Sequence, residues 1–233
     1  MESESVERRG SSWRDSRWLI PVEFILAVGV YVARQHHILK FSAIPYLLLL
    51  AWVSLRLRGV QWRQIGFTKY RTWTRTLLFG FACGIALELF DLFGKQRLLT
   101  RLLGKPPDLS SFSEVHGNLK YALLIIGLIW VIAAFGEELF YRGYLMNRVA
   151  DLGKGSRTAW VLSLILTSAV FGLAHYQQGL TGIFEEGSDG LILGVIYLVF
   201  RRNLAVPIVA HGVCDTIDIV LLFLGTYPYN KDN

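Results

Sequence analysis

Three short stretches of this 233-residue chain gather side chains that do proton chemistry. In AAFGEELFYRGYL, Glu137 and Glu138 stand side by side, and Arg142 follows Glu138 by four residues. In SAVFGLAHYQ, Phe171 and His175 are four apart, and in VAHGVCDTID so are His211 and Asp215. On a helix a spacing of four puts two side chains one turn apart on the same face. Two carboxylates and two imidazoles are the parts of a water-activating hydrolase. A carboxyl in a low-dielectric pocket holds its proton more readily, and a neighbouring cation reverses that. Such a group takes a proton from water near neutral pH and passes it to a leaving amine. One histidine beside it helps to hold the water. A second donates to the oxyanion of a tetrahedral intermediate, oriented by the side chain one turn away. Arg142 satisfies Glu138, since an unpaired buried carboxylate is costly. Glu137 is then the reactive carboxylate, a division of labour that the spacing supports without proving.

The stretches that carry these groups are apolar. Hydrophobic residues make up 53% of the chain and charged residues 18%, against about a quarter charged in a soluble domain. Mean hydropathy is +0.40. The surplus is too large for one soluble core and comes in blocks of membrane-spanning length. Intrinsic disorder, collagen and a disulfide scaffold are excluded, and Cys83 and Cys214 read as buried thiols. Apolar blocks fall at 18–33, 41–55, 75–93, from 121, 158–175, about 180–200 and 204–226. Each reads as a helix, because a segment in lipid must satisfy its own backbone. No block alternates as a membrane β-strand does. The expected fold is all-α: a polytopic transmembrane bundle of about seven spans, six to eight. Residues 1–17 read as a polar, disordered tail, 18–226 as one membrane domain and 227–233 as a short tail, and no cleavable signal is expected.

With the N-terminus inside, sixteen lysines and arginines fall on inner segments and eight on outer ones. That bias favours this orientation, in the cell membrane. The net charge of +6 fits topology signals and anionic headgroups rather than nucleic acid. Five of the outer basics lie in 94–120, where RLLTRLLG reads as an amphipathic helix in the interface, stopped by Pro106–Pro107.

A charge at the centre of a spanning helix costs roughly 2.5–3.5 kcal/mol, so intramembrane charges are candidates for function. Glu23, Glu88, Asp91, Asp218 and Glu185–Glu186 read as isolated, explained by interhelical hydrogen bonds or by the water boundary. The clustered set differs. Inserting five or six such groups costs on the order of 10 kcal/mol before pairing, and leucine would have packed as well. Hydropathy places Glu137 and His175 at opposite ends of their spans, so convergence needs the fourth helix to continue to about residue 150.

These residues resemble a known set. Glu-Glu-x-x-x-Arg at 137–142, Phe-x-x-x-His at 171–175 and His-x-x-x-Asp at 211–215 are similar to the three motifs of the CPBP intramembrane protease family, the CAAX-protease and bacteriocin-processing or abortive-infection family. Phe140, Gly143 and Gly172 agree at the flanks, as do the turn 201–204 and Gln64-Ile65-Gly66-Phe67, so the resemblance covers about 60–225. It implies a membrane endopeptidase of bacterial type with a four-helix catalytic core, about 119–226 here. By resemblance Glu137 is the general base, His175 positions the water, and His211 with Asp215 forms the oxyanion side. The substrate is a membrane-associated, prenylated or hydrophobic protein or peptide, and the mechanism needs no metal. One departure matters: the prenyl-protein proteases carry Asn where this chain has Asp215. An ionised aspartate cannot donate to an oxyanion; it accepts from His211 instead.

Two other readings use the same residues. Two histidines and two carboxylates are able to bind Zn(II), although no His-Glu-x-x-His is present. Intramembrane Glu, His and Asp also serve transporters, although no inverted repeat is present. The expected partners are a peptide or protein substrate and the lipid bilayer, with no nucleic acid and no cofactor.

Overall fold

The computed structural model describes residues 18–40 and 42–228. The tail expected at 1–17, and all of the C-terminal tail beyond 228, lie outside the described residues. Among the described residues every regular element is helical. The α-helices are α1 (Leu19–Gln35), α2 (Ile44–Arg58), α3 (Trp73–Phe90), α4 (Gln96–Leu103), α5 (Leu119–Leu128), α6 (Asn147–Leu152), α7 (Arg157–Ala174), α8 (Gly179–Val199) and α9 (Ala205–Leu224).

Their ends follow local chemistry. Thr72, Asn118 and Ser156 cap α3, α5 and α7 by accepting from a backbone N–H three residues on. Gly59, Gly104 and Gly225 close α2, α4 and α9 in the left-handed conformation. Two helices continue through wider π-type turns. Asp91–Lys95 joins α3 to α4, and Ile129–Met146 joins α5 to α6. Such turns are rare and gather at functional sites.

Among the described residues, four helical stretches are long and apolar enough to cross a membrane: Trp73–Leu103, Leu119–Leu152, Arg157–Ala174 and Ala205–Leu224. The expected seven blocks do all become helices. However, α1 and α2 have 17 and 15 residues, and α8 carries Glu185, Glu186 and Asp189. The outward faces of the long helices are apolar, with Leu78, Val131 and Leu162 exposed.

Residues 96–103 form a helix, as their pattern suggests, but not a separate one. They extend α3, because the π-type turn keeps the backbone bonded while Lys95 and Gln96 turn inward. Gly104 then ends the helix just before Pro106 and Pro107. Lys95 and Arg142, counted on opposite sides of the membrane, are both buried ion-pair partners. Removing them from the expected count leaves fifteen basics against seven.

Close packing sets the core. A Cβ on Gly84 of α3 would lie 2.5 Å from the Ala210 carbonyl of α9. One on Gly172 of α7 would lie 2.8 Å from Gly187 Cα of α8, and nearer still to the Ile183 carbonyl. These two contacts draw α3 against α9 and α7 against α8. An aromatic core of Phe140, Tyr141, Tyr144, Phe171 and Tyr197 lies beside them. The α1–α2 hairpin joins it through Leu47, Ala51 and Leu55. Glu23, expected to be isolated, accepts from Ser54 Oγ at 2.9 Å and from Arg58 Nη2 at 2.8 Å across that hairpin.

Candidate active site

The continuous helix Leu119–Leu152 has 34 residues, about 50 Å at 1.5 Å per residue, and is longer than a bilayer core. Glu137 sits near its middle, as convergence requires. His175 follows α7 directly, and His211 and Asp215 lie on α9. The three helices bring Glu137, His175, His211 and Asp215 to the wall of one cavity of about 190 Å³. The Glu137 carboxyl interacts electrostatically with both imidazoles.

Glu138 turns the other way, into the protein, and is fully buried. Its Oε1 accepts from Arg142 Nη1 at 2.6 Å and from His211 Nδ1 at 2.9 Å. Arg142 also donates from Nη2 to the Gly190 carbonyl at 3.0 Å and lies 4.8 Å above the Phe171 ring. Phe171 meets His175 with ring centroids 4.8 Å apart and His211 at 6.2 Å. It is the apolar spacer that holds both imidazoles and the guanidinium in place.

These contacts fix the imidazoles. His175 Nδ1 lies 2.9 Å from the Phe171 carbonyl. A carbonyl only accepts, so Nδ1 carries the proton. Nε2 then faces the cavity, 3.9 Å from Glu186 Oε2. His211 has Nδ1 on Glu138 and Nε2 at 3.4 Å from Asp215 Oδ2. The orienting partner of His211 is therefore Glu138 on another helix, as well as Asp215 one turn along. Spacing alone pointed only to Asp215.

The structure also adds to the site. Glu185, Glu186 and Asp218, read from the sequence as isolated, line the same cavity, together with Gln96, Gln178 and Tyr227. Asp218 had a readable signal, since it follows Asp215 by three on α9. Gln96 and Tyr227 had none, for they arrive from the distant ends of α4 and α9. Glu88 and Asp91 are not isolated either. Cys214 Sγ donates to Glu88 Oε2 at 3.1 Å, and Asp91 pairs with Lys95 at 2.6 Å.

Beside Glu137 and the other cavity carboxylates, the imidazoles offer a metal one open nitrogen. Both nitrogens of His211 face carboxylates, and His175 Nδ1 is held by a carbonyl, which leaves His175 Nε2. Among the described residues, Glu88, Asp91 and Cys214 bring ligand atoms within 4.8 Å of one another. There Lys95 already neutralises Asp91 and Cys214 already bonds Glu88.

A family model described as type II CAAX prenyl endopeptidase Rce1-like matches residues 119–217. The likeness to that family lies in this segment, which is less than half of the chain. No curated protein and no solved structure matches the chain. The Rce1-like segment starts at α5 and includes the seven residues singled out by spacing, from Glu137 to Asp215. The family is one of proteases, and with the apolar helices it marks the chain as an integral membrane protein. Gln96, Asp218 and Tyr227 of the cavity wall fall outside the Rce1-like segment.

Proposed function

We propose that the chain is an intramembrane endopeptidase that uses Glu137 to activate water against a peptide bond of a membrane-associated protein or peptide. The observation that carries this reading is the meeting of Glu137, His175 and His211 at one cavity, inside a segment that matches a prenyl endopeptidase family. Water bound between Glu137 and His175 Nε2 gives a proton to Glu137 as its oxygen attacks the carbonyl carbon. The C–N bond then breaks, and the same proton passes to the leaving amine. His211 stabilises the oxyanion. With both nitrogens facing carboxylates, at 2.9 Å from Glu138 and 3.4 Å from Asp215, the ring works in this reading as a doubly protonated donor. The developing oxyanion competes with Asp215 for the second of these protons. Glu138, Arg142 and Phe171 hold the imidazoles, and Asp215 is an acceptor rather than an oxyanion donor. We place the protein in the cell membrane with its N-terminus inside, and its catalytic unit at about 119–226.

The test is cleavage by purified wild type, Glu137→Ala and His211→Ala, read by mass spectrometry on a pool of hydrophobic membrane peptides that includes a farnesylated CAAX peptide. The wild type should cleave and the variants should not. Equal cleavage by all three would end the proposal, as would movement of a solute gradient with no cleavage at all. Prompt cleavage of only the farnesylated peptide would narrow the substrate to prenylated termini.

A further inference from the structure

Five carboxyl groups face the cavity: Glu137, Glu185, Glu186, Asp215 and Asp218. Among the described residues that line it there is no lysine or arginine. The nearest cations are committed elsewhere. Lys95 pairs with Asp91 at 2.6 Å and Asp189 at 2.5 Å, and Arg142 with Glu138. Glu185 is only 7% exposed. Its Oε1 accepts from Gln96 Nε2, while its Oε2 is buried with no hydrogen-bond partner. Asp218, whose carboxyl meets that of Glu88 on α3, lines the cavity beside it. A buried acceptor left unmade costs roughly 1–3 kcal/mol, so such atoms in a native wall call for a donor from outside.

We propose that Glu185 and Asp218, flanked by Glu186 and Asp215, form a cation subsite for a lysine or arginine side chain next to the substrate's scissile bond. It rests on the endopeptidase reading and names the substrate class for that same site. An ammonium brings three donors and no acceptor, which matches a partnerless carboxylate oxygen. Low-dielectric walls whose carboxyls outnumber the protonated His211 focus the field on an incoming cation. The same wall repels a carboxylate, so a glutamate or a free chain terminus is rejected at this position.

Access fits a long side chain. A groove of about 760 Å³ runs outside the cavity, between the 104–118 loop and the start of α8. Pro107, Leu109, Phe112, Gln178 and Leu222 line both spaces, so the two adjoin. The loop is tied down on either side, by Asp108 N–H to the Gln178 carbonyl at 2.9 Å and by Thr181 Oγ1 to the Lys105 carbonyl at 2.6 Å. A substrate backbone in the groove reaches the cavity with one extended side chain.

The test measures binding first. Full-length Glu137→Gln protein in detergent is titrated with three labelled peptide pools, alike except that each position in turn carries lysine, norleucine or glutamate. Lysine at one position should bind about tenfold tighter than norleucine, and glutamate weaker than both. Glu185→Gln and Asp218→Asn should each bring lysine down to the norleucine level with unchanged norleucine binding. If one of these variants fails to fold, judged by its melting curve, the other decides. No lysine preference, or a preference that both variants keep, overturns the subsite. Zn(II) or Mn(II) alone binding through Glu185 and Asp218, without competition from the lysine pool, overturns it in favour of a metal. A lysine preference in a protein whose wild type cleaves no peptide keeps the subsite and sinks the protease reading.

Discussion

Two buried charge clusters lie side by side in this protein and are built differently. In the first, Glu138, Arg142 and His211 form a set closed to the cavity: Glu138 Oε1 takes both Arg142 and His211, and its buried Oε2, which has no hydrogen-bond partner, lies off the cavity wall. The guanidinium meets a carboxylate, a carbonyl and an aromatic ring, and the imidazole is held from both sides. In the second, Asp91, Lys95 and Asp189 share one cation between two carboxylates. Beyond them Glu185 reaches the cavity with an acceptor to spare, and Asp218 lines it beside Glu88. Closed pairing holds a geometry and open pairing leaves room for a ligand. The first cluster therefore reads as the frame of a catalytic site, and the second as the wall that a substrate completes.

That contrast can be broken by mutation. The largest effect is expected at Glu137, which belongs to neither frame. Glu137→Gln should cut cleavage by about a thousandfold, the order that general acid–base catalysis supplies, with the melting temperature unchanged. Arg142→Leu comes next, because it leaves Glu138 buried without its cation. A loss of roughly 3–5 kcal/mol in chemical unfolding is expected. Lys95→Met should cost less, about 1–3 kcal/mol, since the carboxylates it abandons lie beside a cavity that admits water. If Lys95→Met proves as damaging as Arg142→Leu, the second cluster is also a closed frame and the distinction fails. The smallest effect belongs to the Arg148–Asp151 pair, 2.9 Å apart with Asp151 half exposed. Arg148→Ala should change stability by less than about 1 kcal/mol.

The Glu138–Arg142 pair of the first cluster was legible in the sequence and its bond to His211 was not; in the second, Asp91–Lys95 has the same spacing, but Asp189 is a partner that no spacing shows. Glu138 and Arg142 lie four residues apart on one helix, as do His211 and Asp215, and such spacing fixes proximity even through the wider turns of 129–146. Lys95 and Asp189 come from different helices and meet only in the fold. Without its partner Lys95 reads as one more basic residue of a loop. The helices themselves were legible, because lipid demands apolar runs. Their length was less so. Polar Lys95 and Gln96 look like the end of a span, yet the helix runs on to Leu103 because their partners are buried with them. The depth conflict between Glu137 and His175 disappears for the same reason: the helix through Glu137 runs to Leu152, and α7 starts afresh at Arg157.

The central claim is that a glutamate, with no bound metal, activates the water. Its most direct measurement is the rate of peptide cleavage by the wild type after exhaustive chelation, set beside that of Glu137→Gln. The account predicts a rate that chelation leaves unchanged and that Glu137→Gln abolishes. A rate lost to chelation and restored by Zn(II), or wild-type cleavage by Glu137→Gln, would contradict it.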